Sequence, residues 1–311
     1  MNFQQLRILR EAVRQNFNLT EVANALYTSQ SGVSKHIKDL EDELGIELFV
    51  RRGKRLLGLT EPGRELIAIA ERILIDAGNV KRVAEQFANS DSGRLMIATT
   101  HTQARYALPQ VVRRFKQAFP RVHLVLHEAN PAEIVALLQS GEADIAIATE
   151  ALEGHAAFVT FPFYEWHHAV VVPVGHVLAA RADAGEALTL EQLAEQPLVT
   201  YHEGYTGRAR VDEAFAAAGL VPDIVMAALD ADVIKTYVEV GLGVGILASM
   251  AFDEQRDRGL RRIDASHLFA RNATRIAVRR GHYLRGYAYR FLEECAPALT
   301  EASVRDALDA P

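Results

Sequence analysis

The sequence predicts an α/β protein: an N-terminal winged helix-turn-helix, one long helix, and two α/β lobes. Three observations predict it. Residues 1–60 hold three short segments of helical apolar spacing and then a basic, glycine-containing turn. Residues 66–87 carry a seven-residue apolar repeat. From Gly93 onward, strand-length apolar runs alternate with helix-length amphipathic runs, for too long to fit one small sheet.

Phe3, Leu6, Leu9 and Val13 lie at helical spacing and predict the first helix. Thr20 can cap a second, with Val22, Ala23 and Leu26 inward. Thr28 or Ser29 caps a third, whose apolar face is Val33, Ile37, Leu40 and Leu44. Its other face shows Gln30, Ser31, Ser34, Lys35 and Lys38, groups suited to base edges and phosphates. They fall in the half of the helix that a recognition helix places in the major groove. Ile46–Val50 and Leu56–Leu59 flank the turn Arg51-Arg52-Gly53-Lys54-Arg55, which reads as a β-wing with its basic residues on phosphate. A basic run alone is usually a solvated face; its place beside a three-helix unit argues for DNA.

Thr60 caps the long helix, with Glu61 and Pro62 in its first turn. Leu66, Ala70, Ile73, Ala77, Val80, Ala84 and Phe87 form a seam about three heptads long. Every second seam residue is Ala, so two such helices can approach closely, and dimerisation is expected. The alternative is an amphipathic helix packed on its own body.

Beyond it, strands are expected at Leu95–Thr100, Val122–His127, Asp144–Thr149, Phe158–Tyr164, His168–Pro173, Pro197–Tyr201, Ile224–Ala227, Gly241–Leu247 and Thr274–Val278. Helices are expected at Gln103–Phe119, Ala132–Leu138, from Thr189, at Arg208–Ala218, Asp232–Val240 and Arg285–Cys295. The alternation suggests parallel sheets. Polar residues gather at strand ends: Thr100, Thr102 and Gln103; Thr149; Thr200 and His202. Open α/β sheets bind ligands outside the carboxyl ends of strands. Hydroxyls with helix N-terminal amides suit a small anion.

The chain has 311 residues, 49% hydrophobic and 24% charged, which excludes disordered and collagen-like classes. Its single cysteine, Cys295, excludes an internal disulfide and an all-cysteine zinc site. The longest apolar runs are too short to span a bilayer, and the N-terminus lacks an apolar signal core, so a cytoplasmic protein without membrane contact is expected. The net charge of −6 argues against nucleic acid, but its distribution does not. Residues 1–60 carry nine Lys/Arg against seven Asp/Glu; the remainder carries 25 against 33. A basic head on an acidic body suits a DNA reader with a separate sensor.

Thr28-Ser29-Gln30-Ser31-Gly32-Val33-Ser34, Leu40-Glu41-Asp42-Glu43-Leu44-Gly45, Leu48-Phe49 and Leu59-Thr60-Glu61-Pro62-Gly63 together resemble the signature of LysR-type transcriptional regulators. The resemblance covers nearly the whole chain. It narrows to the CysB/Cbl branch, which controls sulfur acquisition, through Ile97–Tyr106, Ala146–Glu150 and Asp230–Val238. Asn18–Asn24 and Val50–Gly58 look closer to Cbl.

The resemblance implies a winged helix-turn-helix at 1–60 and a linker helix at 61–89. It also implies a two-lobed effector domain like periplasmic binding proteins, with lobe I at 92–163 and 268–300 and lobe II at 164–267. It implies double-stranded operator DNA as partner, through Ser29, Gln30, Ser31, Ser34, Lys35, Lys38, Arg51, Arg52, Lys54 and Arg55. A small effector between the lobes is implied as well: sulfate, an acetylserine or adenosine phosphosulfate, on Thr100, Thr102, Gln103, Thr149, Thr200 and His202. CysB proteins carry threonine where His202 stands; an imidazole there can donate a hydrogen bond or, protonated, pair with an anion. Self-association to a dimer and then a tetramer, and contact with RNA polymerase, follow from the same resemblance.

No cofactor and no metal are expected. Gly241-Leu242-Gly243-Val244-Gly245 runs from helix to strand, the reverse of a nucleotide-binding loop. His167 and His168 are adjacent on a strand and point to opposite faces, so they do not bind one ion. No nucleophile elbow, HExxH or Walker motif is present, so an enzyme is not expected. The competing classes are a LysR-type regulator of another pathway and a small-molecule binding protein without DNA function. An enzyme acting on a serine or sulfur metabolite is a third.

Overall fold

The computed structural model describes residues 1–53, 55–88 and 91–310. The chain divides into a first unit, Met1–Phe87 with Gly281–Tyr283, and a second, Ala88–Arg280 with Leu284–Pro311.

The first unit contains α1 (Phe3–Arg14), α2 (Leu19–Ala25), α3 (Gln30–Leu44), β1 (Phe49–Arg52), β2 (Arg55–Leu59) and α4 (Glu61–Ala88). Asn18, not Thr20, caps α2: its Oδ1 accepts the amides of Thr20 and Glu21 at 3.1 and 3.4 Å, which places Thr20 inside the helix. Ser29 caps α3 through the Gly32 amide at 3.1 Å, and Gly45, at φ +69°, ends it. Val33, Ile37 and Leu40 are buried against Leu6, Leu9 and Val22, but Leu44 is 36% exposed and outside this core. The expected first wing strand starts at Phe49 rather than Ile46, because Leu48 and Phe49 are the residues that reach the core.

Thr60 caps α4, its Oγ1 accepting the Gly63 amide at 3.1 Å. The apolar seam splits. Ala70 is buried, and Leu66 and Ile73 pack, in the core of this same head. Val80 and Phe87, in the second half, are 70% and 86% exposed.

The second unit is built on two sheets. The first sheet's elements are β3 (Gly93–Thr99), α5 (Pro109–Ala118), β4 (Val122–Glu128), α6 (Pro131–Ser140), β5 (Ile145–Ala148) and β6 (Phe158–Trp166). The chain then builds the second with β7 (His168–Pro173), α7 (Val177–Asp183), α8 (Leu190–Ala194), β8 (Pro197–Tyr201), α9 (Arg208–Ala217), β9 (Asp223–Ala228), α10 (Ala231–Glu239), β10 (Val244–Ala248) and β11 (Leu260–Asp264). It returns to the first with β12 (Asn272–Arg279), followed by α11 (Gly286–Cys295) and α12 (Glu301–Asp309). Strand orders are β4-β3-β5-β12-β6 and β11-β7-β10-β8-β9.

The sheets are mixed rather than parallel. β12 runs antiparallel to β5 and β6, and β7 antiparallel to β10 and β11. No helix separates β5, β6 and β7, yet none of them pairs with the next: β12 lies between β5 and β6, and β7 belongs to the other sheet. The expected helix from Gln103 to Phe119 is interrupted: Gln103–Ala107 is a wider π-type turn, and α5 restarts at Pro109, which has no amide hydrogen to donate. Phe115 of α5 meets Phe291 of α11 edge-on at 5.4 Å in the core of the first lobe. Among the described residues, no helix is long and apolar enough to cross a membrane.

Candidate functional site

The head presents its polar residues to solvent at the start of α3. Ser29, Gln30, Ser31, Lys35 and Lys38 are exposed, and Ser34 is half-buried. The Ser29 hydroxyl already caps the helix and lies 3.2 Å from that of Ser31. Tyr27, just ahead of them, is 98% exposed at φ +49°. Sequence reading passes over it because an aromatic in this position looks like a core residue.

On the wing, Arg52 and Arg55 face each other across the hairpin tip and are exposed. Arg51 is engaged from within: its guanidinium donates to Glu41 Oε2 at 2.5 Å, while Oε1 of the same carboxylate accepts the Leu48 and Phe49 amides. Glu41 thus fastens the wing to α3 through Arg51. Lys54 lies outside the described residues.

In the second unit the strand ends of the two lobes meet. Thr99 of β3 donates to the Ile147 carbonyl at 2.8 Å; Thr200 of β8 donates to the Ile246 carbonyl at 3.0 Å. The two hydroxyls are the same brace used once in each lobe, so Thr200 spends its proton within its own sheet. Thr100 is buried, and its carbonyl accepts the amides of Gln103 and Ala104.

Thr102 and Gln103 are fully buried. Thr102 Oγ1 lies 3.5 Å from Thr206 Oγ1, joining the turn after β3 to the turn before α9. A hydroxyl absent from the expected set organises the rest. Thr274 Oγ1, on β12, receives Gln103 Nε2 at 3.4 Å and Trp166 Nε1 at 3.2 Å, and lies 3.2 Å from Thr149 Oγ1. The Tyr164 hydroxyl donates to Gln103 Oε1, and burial raises the Tyr164 phenol to about 12. Thr274 gave little signal in the sequence: one threonine on a strand does not announce its face.

His202 is exposed at the end of β8, its Nδ1 3.0 Å from the Glu203 carbonyl and its ring edge-on to Tyr205 at 6.0 Å. His168 faces the other way: it is buried, and burial lowers its imidazole to about 4, so it stays neutral. His167, beside it, remains 39% exposed.

A further group links the lobes through Asp232 at the start of α10. It accepts from Tyr106 at 2.8 Å and pairs with Arg105 at 3.1 Å and Lys235 at 3.2 Å. Burial alone would raise this carboxyl; the hydrogen bonds from Tyr106 and Lys235 and the charges of Lys235 and Arg105 outweigh it and hold it low. His101, Asp230 and Asp232 bring ligand atoms within 4.8 Å of one another. Asp230 caps α10 through the Val233 amide, and Asp232 is already shared by two cations, so the group works as an ion-pair cluster. Arg105, Tyr106, Lys235 and Phe252 line a concavity of about 780 Å³ beside it.

Residues 3–64 match the family model "Bacterial regulatory helix-turn-helix protein, lysR family", and residues 88–300 match "LysR substrate binding domain". The chain is 60% identical over 304 residues to the HTH-type transcriptional regulator SsuR of Burkholderia cenocepacia, spanning 98% of this chain and 97% of the relative. It is 55% identical over 305 residues to the HTH-type transcriptional regulator cbl of Escherichia coli, spanning 98% and 95%. The crystal structure of the cofactor-binding domain of the Cbl transcriptional regulator aligns with a TM-score of 0.67 at 48% identity, over 71% of this chain and 96% of that one.

The chain belongs to the LysR family of transcriptional regulators, with a DNA-binding helix-turn-helix and an effector-binding domain; it is not an enzyme. Within that family it stands in the sulfur-metabolism branch of SsuR, Cbl and CysB.

Proposed function

We propose that this regulator controls sulfur-acquisition genes in the cytoplasm by binding operator DNA as a dimer of heads, under the control of a small sulfur oxyanion held between the lobes. The observation that carries the effector half is the Thr102–Thr206 contact. It sets Thr102 of one lobe against the turn that opens α9 of the other, while the next residue, Gln103, is joined to Thr149 through Thr274. Thr100, Thr102, Gln103 and Thr149 would supply hydroxyl and amide donors to the anion, with His202 at the rim. Ligand binding then biases lobe closure. An exposed imidazole ring beside Tyr205 also favours a second, larger effector, adenosine phosphosulfate, because a base can stack on such rings.

Gln30, Ser31, Ser34 and Lys35 would read base edges. Tyr27, Lys38, Arg52 and Arg55 would contact sugar and phosphate, while Arg51 sets the wing. The exposed end of α4, Val80 and Phe87, would close the dimer; pairing of dimers gives a tetramer, and RNA polymerase is the further partner. The DNA half is tested by measuring operator affinity across salt concentrations. Arg55→Ala is expected to weaken all sequences and to make the slope of log affinity against log salt shallower by about 0.9. An unchanged slope contradicts the assigned role of the wing.

A further inference from the structure

We propose that Glu150 is a specificity-determining residue of the inter-lobe cleft: its carboxylate holds the start of α9 as an internal anion, and an oxyanion enters the cleft together with a proton. The inference rests on the reading of the cleft as an oxyanion site. It starts from the Gly207 amide, which donates to Glu150 Oε1 across the lobes. Gly207 has φ +72°, and a Cβ there would meet the Asn272 side chain at 2.6 Å. Any larger residue would be strained at this φ and would have to displace the Asn272 side chain.

Glu150 follows Thr149, and Gly207 follows Thr206. An anion on the Thr102 and Thr149 hydroxyls thus stands beside a carboxylate. The second oxygen, Oε2, is buried and has no hydrogen-bond partner among the described residues. The charged groups on the surrounding elements are committed elsewhere. Arg208 of α9 gives its guanidinium to Asp212 and to the Tyr201 carbonyl. Arg275 of β12 pairs with Glu153, and His168 of β7 is neutral. Burial raises the Glu150 carboxyl above the usual range, against the hydrogen bonds of the Gly207 amide, its own amide and that of Thr206.

Two like charges at one site disfavour each other, and the cheaper outcome is protonation of the carboxylate. Anion binding then takes up a proton, so affinity rises as pH falls, by up to about tenfold per pH unit. Doubly charged anions feel the carboxylate most.

The test is calorimetric titration of the full-length protein with sodium sulfate between about pH 6 and 8, in two buffers of different ionisation heat. Sulfate itself does not titrate in this range. The expected result is uptake of close to one proton and affinity that falls with rising pH. Glu150→Gln is expected to bind sulfate more tightly at the upper pH, with uptake and pH slope lost. Whatever they do to affinity, His202→Gln at the rim and His101→Gln in the Asp232 cluster are expected to keep the proton uptake and the pH slope, which separates Glu150 from these imidazoles. Sulfate binding to the wild type without proton uptake overturns the proposal and leaves the cleft reading standing; so does uptake that disappears with His202→Gln or His101→Gln. This wild-type and histidine arm decides the matter even where Glu150→Gln fails to fold. If neither the wild type nor Glu150→Gln gives saturable heat, the oxyanion reading itself falls, and the proposal with it.

Discussion

Thr274→Val is expected to leave the protein folded and to weaken oxyanion binding at least about tenfold, the equivalent of about 1.4 kcal/mol. Valine fills the volume of threonine but offers no oxygen. Gln103 Nε2 and Trp166 Nε1 then lose an acceptor, and the Thr149 hydroxyl loses its partner. These groups are buried or half-buried, and each such loss costs about 1–3 kcal/mol, not additively. The cost falls on the positions of Gln103 and Thr149, which are themselves proposed ligands. Calorimetry gives the affinity and circular dichroism checks the fold. Wild-type affinity in the variant would show that Thr274 does not position the site.

The second large effect lies in the head. Gly63→Ala is expected to abolish operator binding while anion binding in the second unit persists. A Cβ at Gly63 would stand 2.2 Å from the Leu48 carbonyl oxygen and 3.1 Å from its carbon. These are backbone atoms and have no rotamer to yield. The same place is bound on every side: the Thr60 amide donates to the Leu48 carbonyl at 3.0 Å, and the Thr60 hydroxyl donates to the Glu47 carbonyl at 2.7 Å. Relieving the clash means moving the start of α4 away from the wing. Overpacking of this kind costs about 1–3 kcal/mol even where side chains can adjust. A thermal scan should show one transition lowered and one unchanged. A variant with normal DNA affinity would contradict the tight junction described for Leu48, Thr60 and Gly63.

Residue spacing makes the head legible because its helices are short, separately capped and apolar on one side. Errors arise where one signal admits two geometries. Asn18 and Thr20 are both good caps two residues apart, and only the structure decides between them. The α4 seam has one period, but its first half packs on its own head and its second half faces outward. Alternating strands and helices suggested parallel sheets; the antiparallel pairs are made by β12, which returns from the second sheet, and by β7, whose neighbours β10 and β11 lie far along the chain, and residue spacing encodes neither. The short elements α7, β11 and α12 carry too few apolar turns to stand out.

At the candidate cleft, strand-end chemistry pointed to Thr102, Gln103 and Thr149; the fold joins Gln103 and Thr149 through Thr274 and sets Thr102 against Thr206. Thr200 looked equivalent in sequence, yet its proton goes to the Ile246 carbonyl. Thr274, Tyr164 and Glu150 were invisible as ligands or braces because their roles depend on strand pairing and lobe contact, which residue spacing does not encode.

The most direct measurement of the central claim uses Trp166, the single tryptophan, whose indole donates to Thr274 and so lies two hydrogen bonds from Thr149. Its fluorescence would be titrated with sulfate, thiosulfate, O-acetylserine, N-acetylserine and adenosine phosphosulfate, with chloride as control, and calorimetry would follow the same series. An oxyanion held between the lobes predicts a saturable change with a sulfur oxyanion, none with chloride, and loss of the response in Thr102→Ala and Thr149→Ala. Oxyanion binding that survives in both variants, or no binding of any compound by either method, would contradict it.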